Sequence, residues 1–156
     1  MLLKRLAVVG AAVGLAVSLN TTPAGAIPRS TFFESAMPDR LCLDYRADYG
    51  PYAFGCNKTA YQWWYWDDDY EVTALRQKAT RLCLTLRNGV LTMKPCNADD
   101  DAAMWFVSSD PGAGSTIMNA VSRKCLARMP YDGKKHPVST STCTGGPSQR
   151  WHWWEG

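Results

Sequence analysis

Arg40-Leu41-Cys42-Leu43-Asp44, Arg81-Leu82-Cys83-Leu84-Thr85 and Arg123-Lys124-Cys125-Leu126-Ala127 are three versions of one stretch. Their recurrence decides how the chain folds. The central cysteines stand 41 and 42 residues apart. Each is followed by a second cysteine (Cys56, Cys96, Cys143), and eight or nine residues later by a tryptophan (Trp64, Trp105, Trp151). Short apolar stretches precede the later two motifs, Val72-Thr73-Ala74-Leu75 and Ile117-Met118-Asn119-Ala120-Val121. So many features repeated in one order make an internal repeat.

Each copy reads as short strands. Leu-Cys-Leu alternates as a half-buried strand does, and turn-formers interrupt the segments at Tyr49-Gly50-Pro51, Asn88-Gly89, Asp110-Pro111-Gly112 and Asp132-Gly133. Asn88-Gly89, between Leu-Thr-Leu-Arg and Val-Leu-Thr-Met, is a strong hairpin signal. No long amphipathic helix stands out, so the class is all-β, a sandwich or a barrel. One copy of about 40 residues cannot bury its own apolar face, so three must share a core, and threefold closure removes exposed sheet edges. The register of the copies suggests the cysteine pairs Cys42–Cys56, Cys83–Cys96 and Cys125–Cys143, where the count alone allows 15 arrangements. Thr31-Phe32-Phe33-Glu34-Ser35-Ala36-Met37 supplies a strand before the first motif. The units then run near 31–70, 71–113 and 114–156, and the first strand lies beside Trp151-His152-Trp153.

The opening residues do not belong to this pattern. Lys4 and Arg5 precede an uncharged apolar run from Leu6 to Leu19, and Ala24 and Ala26 form a small-x-small pair. That order is a secretory signal, expected to be cleaved after residue 26. The run is 14 residues long, short of the roughly 20 that span a bilayer, so no membrane span is expected. The remainder, 27–156, is one domain of ordinary size. The leader holds two of the 17 basic residues and no acid, which leaves 15 basic residues against 14 acidic ones. Such an even balance, without basic blocks, argues against nucleic acid. Six cysteines in an exported chain read as a disulfide framework. Without a C-x-x-C spacing and with only two histidines, zinc is the weaker reading. No cofactor is implied.

At Cys42-Leu43-Asp44, Gln62-Trp63-Trp64 and Gln149-Arg150-Trp151 the units resemble those of ricin-B-type lectin domains, with their C-L-D and Q-x-W motifs. The middle unit has Ala103-Met104-Trp105, with the glutamine lost. The resemblance covers almost all of the chain after the leader and implies a β-trefoil of twelve strands with pseudo-threefold symmetry. Trp64, Trp105 and Trp151 would lie in the core, and Gln62 and Gln149 would bond backbone nearby. It also implies a sugar as ligand and the aspartate of C-L-D as its anchor. A carboxylate accepts hydrogen bonds from two neighbouring hydroxyls, and an aromatic face covers the apolar side of a pyranose. Carried over to this chain, the set is Asp44, Phe54, Tyr52, Tyr61 and Gln62, with Tyr61 standing where the family usually has asparagine. Thr85 and Ala127 replace the aspartate in the other units, and Lys94 and Ser141 replace the aromatic, so at most the first unit retains a site. A glycan, galactose-type sugars first, is the expected partner.

Other readings stand beside this one. Asp44 is equally competent as a turn residue bonding local backbone. A trefoil that has lost sugar binding would act as a protein-interaction or toxin-accessory module. An enzyme is not expected, because no nucleophile motif such as G-x-S-x-G appears and nothing marks a carboxylate pair. The runs Asp67-Asp68-Asp69 and Asp99-Asp100-Asp101 do not follow a calcium-loop spacing and read as solvated loops, so no metal is expected. In Trp63-Trp64-Tyr65-Trp66, alternation sends Trp64 and Trp66 to one face and Trp63 and Tyr65 to the other, which leaves some aromatic surface for sugar or protein.

Overall fold

A computed structural model describes residues 28–110 and 112–155; the expected leader, 1–26, lies outside them. Among the described residues there is no α-helix, only two 3-10 turns at Asp101–Ala103 and Pro147–Gln149. The first copy supplies β1 (Arg29–Ser35), β2 (Cys42–Arg46), β3 (Gly50–Phe54) and β4 (Trp64–Trp66). From the second come β5 (Thr73–Ala74), β6 (Arg76–Gln77), β7 (Leu82–Arg87), β8 (Val90–Pro95) and β9 (Met104–Val107). The third gives β10 (Ile117–Asn119), β11 (Cys125–Arg128), β12 (His136–Ser141) and β13 (Trp151–Glu155). β5 and β6 are one strand interrupted at the fully buried Leu75, so the plan is the twelve-stranded β-trefoil.

Half of the strands close into a barrel. β1 pairs with β4, β4 with β6, β5 with β9, β9 with β10 and β13 with β1. A bridge between Ser115 and Trp151 closes the ring. Closure leaves no barrel edge to recruit another chain. The other strands form the hairpins β2–β3, β7–β8 and β11–β12. Each joins a barrel strand at an equivalent pair: Glu34 with Cys42, Arg76 with Cys83, Met118 with Cys125.

These registers make Phe33, Leu75 and Ile117 equivalent, and all three are fully buried, as are Leu43, Leu84 and Leu126 at the centres of the cysteine motifs. The three motif tryptophans are equally buried and donate their indole N–H to those leucine carbonyls. The distances are 3.1 Å (Trp64 to Leu43), 2.9 Å (Trp105 to Leu84) and 3.2 Å (Trp151 to Leu126). An indole placed this way puts its apolar bulk in the core with its one donor satisfied.

The disulfides are Cys42–Cys56, Cys83–Cys96 and Cys125–Cys143. Each straps the start of a hairpin to the segment just beyond its end. The β7–β8 turn is the one the sequence marked most clearly. Asn88 and Gly89, with φ of 52° and 77°, join the Arg87–Val90 pair, and a two-residue turn of this kind needs positive φ at both positions. A Cβ on Gly89 would meet nothing within 4 Å, so Gly89→Ala isolates backbone strain. It should lower stability by about 1–2 kcal/mol, read as a drop in the thermal midpoint; an unchanged midpoint would show that the turn has another conformation to adopt.

Candidate functional site

Asp44 lies in the middle of β2, opposite Tyr52 of β3, and is only 3% exposed. It is therefore not a turn residue, which corrects that reading. Leu43 and Asp44 point to opposite faces of the strand. Leu43 enters the core, and Asp44 forms part of the floor of a groove of about 690 Å³. Its Oδ2 accepts a hydrogen bond from Gln62 Nε2 at 3.2 Å, while its Oδ1 is buried with no hydrogen bond of good geometry, although the Tyr45 N–H and the Tyr52 hydroxyl lie close enough to the carboxylate to favour its charge. An unpaired buried acceptor costs roughly 1–3 kcal/mol, more when charged. Burial accordingly pushes the Asp44 carboxyl above the ordinary value of 3.8, against the opposing pull of the Gln62 amide.

An aromatic wall rises beside it. Tyr49 meets Tyr52 edge-on at 5.3 Å between centroids, and Tyr52 meets Phe54 at 6.2 Å. Tyr52 is buried, which, with the Asp44 charge, pushes its phenol up to about 12, so the hydroxyl stays protonated. Phe54 and Tyr61 are 54% and 47% exposed and also line the groove.

Gln62 bonds backbone beside the core, as the resemblance implies, and is not itself a lining residue of the groove. It is fully buried; its oxygen accepts from the Asn57 and Lys58 N–H groups at 2.8 and 3.2 Å, and its amide donates to the Gly55 carbonyl and to Asp44. Both of its N–H donors are thus committed, and it reaches the groove only by holding Asp44. Gln149 repeats the brace in the third copy, accepting from the Thr144 and Gly145 N–H groups and donating to Ser141 Oγ and the Thr142 carbonyl.

Part of the groove comes from the third copy, because β12 pairs with β3 through His136–Ala53 and Pro137–Tyr52. That pairing delivers Lys134 and Lys135 to the rim. Lys135 Nζ donates to the Tyr49 carbonyl and lies 5.0 Å over its ring, while the Arg46 guanidinium sits 4.9 Å over the same ring and pairs with Asp48 at 3.1 Å. The Asp132 carboxylate fixes this turn by accepting the Lys134 and Lys135 N–H groups, which holds it below the usual carboxylate range. Sequence reasoning missed Tyr49, Arg46, Lys134 and Lys135. The Asp132-Gly133 turn signal located the hairpin end but not the neighbour it touches.

At the equivalent positions, Thr85 donates its hydroxyl to the Cys83 carbonyl at 3.1 Å, and Ala127 faces Ser139. Neither copy places a carboxylate there. Asp67, Asp68 and Asp69 bring one oxygen each within 4.8 Å of the others. Asp68 pairs with Arg29, and Asp67 accepts from the Asp69 N–H. Asp100 departs from the solvated-loop expectation: it caps the 3-10 turn by accepting from the Ala102 N–H and pairs with Arg87 at 2.8 Å. Trp64 and Trp66 are both buried; Trp63 and Tyr65 are half-buried on the other face, with Trp63 edge-on to Phe32 at 5.4 Å.

The sequence profile of the ricin-type beta-trefoil lectin domain matches residues 32–151. No curated protein matches the chain in sequence. Among solved structures it is similar to ThreeFoil, a designed threefold-symmetric protein, with TM-score 0.67 and 14% identity over 79% of this chain and 96% of that one. It is also similar to the C-half of the earthworm R-type lectin in complex with GalNAc, with TM-score 0.65 and 17% identity over 83% of this chain and 100% of that one. A third similarity is to the cytolethal distending toxin of Haemophilus ducreyi, with TM-score 0.65 and 15% identity over 78% of this chain and 81% of that chain. At these identities the likeness is one of fold.

Proposed function

The chain belongs to the ricin-type β-trefoil lectin domain family, and from that premise we propose that it is a secreted carbohydrate-binding module with one retained sugar site, the groove floored by Asp44. The observation that carries this reading is the Asp44 Oδ1, a buried carboxylate oxygen with no well-formed hydrogen bond at the base of an aromatic-walled groove. Sugar hydroxyls donate well to such an acceptor. Phe54 offers an exposed ring for the apolar side of a pyranose, and Tyr52 and Tyr61 add polar tips. Gln62 holds the carboxylate in place. The second and third copies, with Thr85 and Ala127, bind no sugar in this manner, and the module is a binder rather than a catalyst. Galactose-type sugars are the first to test, since the similar earthworm lectin was captured with GalNAc. The leader at 1–26 supports secretion. One shallow site gives about −4 kcal/mol for a millimolar constant.

A second reading has its own observation. Two of the three anchor positions lack the aspartate, and a toxin is among the similar structures. That combination favours a protein-interaction or toxin-accessory module that no longer binds sugar.

Asp44→Asn tests the site through both binding and stability. Affinity for galactose or GalNAc should fall about tenfold or more, since hydrogen bonds to a charged group contribute roughly 1.5–3 kcal/mol. Because the native pKa of Asp44 is raised, the folded state takes up its proton first as pH falls. Acid therefore favours folding at this residue, and wild type loses stability relative to Asp44→Asn as pH rises from 3.8 through the native pKa. The gap between the two thermal midpoints should widen over that window and then level off, and sugar affinity of the wild type should drop as pH falls through it. A pH-independent gap would mean that Asp44 is solvated. Undiminished binding by the variant would place the sugar elsewhere, and partner capture that survives excess free sugar would favour the second reading.

A further inference from the structure

The barrel mouth breaks its own symmetry. Counting two residues beyond each core tryptophan gives Trp66, Val107 and Trp153, which the strand registers place in equivalent positions around the pseudo-threefold axis. The residues paired with the core tryptophans Trp64, Trp105 and Trp151 carry three equivalent hydroxyls, on Thr31, Thr73 and Ser115. In two copies the hydroxyl accepts the indole N–H beside it: Trp66 Nε1 to Thr31 Oγ1 at 2.9 Å, and Trp153 Nε1 to Ser115 Oγ at 3.2 Å. In the middle copy the large residue is replaced by Val107, and Thr73 Oγ1 accepts instead from the Asp67 N–H at 2.8 Å.

A hollow of about 250 Å³ opens there, lined by Trp66, Trp153, Val107, Tyr70, Asp68 and Ser109 among others. Its walls combine three aromatic rings with a carboxylate and hydroxyls. Tyr70, on the rim, is 64% exposed. The volume lies just under the roughly 300–1,000 Å³ of sites for drug-sized ligands, which suits one small ring.

We propose that this axial hollow is a second ligand site, distinct from the Asp44 groove, and that it takes a single neutral pyranose. Aromatic walls with a carboxylate also suit a quaternary ammonium ion, but a cation is already in place. Arg29 lies 5.5 Å over the Trp153 ring and pairs with both Asp68 and Glu155. A neutral sugar hydroxyl can donate to Asp68, which lines the hollow, without displacing Arg29 from its ion pairs, while the ring packs on Tyr70.

The indole N–H signals of Trp66 and Trp153 in an amide-nitrogen NMR spectrum report on the hollow and not on the Asp44 groove. The labelled protein is titrated with methyl β-galactoside, methyl β-glucoside, N-acetylgalactosamine and choline. At least one sugar should shift both signals saturably, in wild type and equally in Asp44→Asn. Val107→Trp, which fills the hollow, should remove the response, and Tyr70→Ala, at an exposed position that cannot disturb the core, should weaken it about tenfold. The proposal is overturned by no saturable shift with any sugar, by a shift with choline alone, by a shift abolished in Asp44→Asn, or by one that Tyr70→Ala leaves unchanged. Failure here leaves the Asp44 reading standing, since that site is scored by its own variant.

Discussion

Reducing the three disulfides is expected to unfold the protein at room temperature without added denaturant. The loops they close have sequence separations of 14, 13 and 18 residues. On loop-entropy grounds each constraint is worth about 3 kcal/mol. Taken as independent, three come to about 9 kcal/mol, within the 5–15 kcal/mol of a natural domain's whole stability. Reductant has access, because Cys56, Cys96 and Cys143 are exposed although their partners are buried. Every copy is strapped at the same place, where its hairpin leaves the barrel, so no copy keeps a covalent register once all are cut. The check is tryptophan emission and circular dichroism after full reduction, with thiols counted. Emission should move to the red as Trp64, Trp105 and Trp151 meet water. A native spectrum with six titratable thiols would show that the core alone carries the fold.

Trp105→Ala should be the most damaging single substitution of its kind. Removing a fully buried tryptophan costs about 3–5 kcal/mol in transfer and cavity terms, and the Leu84 carbonyl, now bonded by the indole at 2.9 Å, loses its donor. The middle copy also has Ala103 where the first and third have a bracing glutamine, which leaves the buried Asn119 amide, donating to the Ala102 and Met104 carbonyls, to hold this segment. Trp105→Phe keeps most of the ring volume and loses the N–H, so it should cost clearly less than the alanine variant. Denaturant melts of the two, compared with Trp64→Ala, measure the difference. Equal costs for Phe and Ala would assign the whole effect to the hydrogen bond, against the packing argument.

The architecture was legible in the sequence because repetition did the reading. Cysteine, leucine and tryptophan recur at fixed offsets, and each offset places a residue that the threefold axis must use: strap, core leucine, core indole. Asn88-Gly89 was legible for a local reason, since few residue pairs accept two positive φ angles. The floor and aromatic wall of the candidate site, Asp44, Tyr52 and Phe54, come from one hairpin and could be named because the resemblance to ricin-B-type domains implies those positions. Lys134 and Lys135 could not, because they reach the groove through the β3–β12 pairing between copies, and no residue in either strand announces its partner. Gln62 was read both as a backbone brace and as a member of the sugar-binding set, and the sequence could not choose between the two for a similar reason. An amide has donors and acceptors for either backbone or ligand, and only geometry shows that its hydrogen-bonding capacity is already used. Asp100 looked like one of three solvated acids until the turn it caps was in view.

The pairing of β1 with β13, running from Thr31–Glu155 to Ser35–Trp151, fixes when the molecule can finish folding. Synthesis proceeds from the N-terminus, so the first strand, with Phe32 and Phe33, emerges long before its mate exists. Until Trp151–Glu155 arrive, one seam of the barrel stays open and apolar. A nascent chain stalled short of Trp151 would therefore be a sticky, unlatched intermediate, however complete its first two copies are.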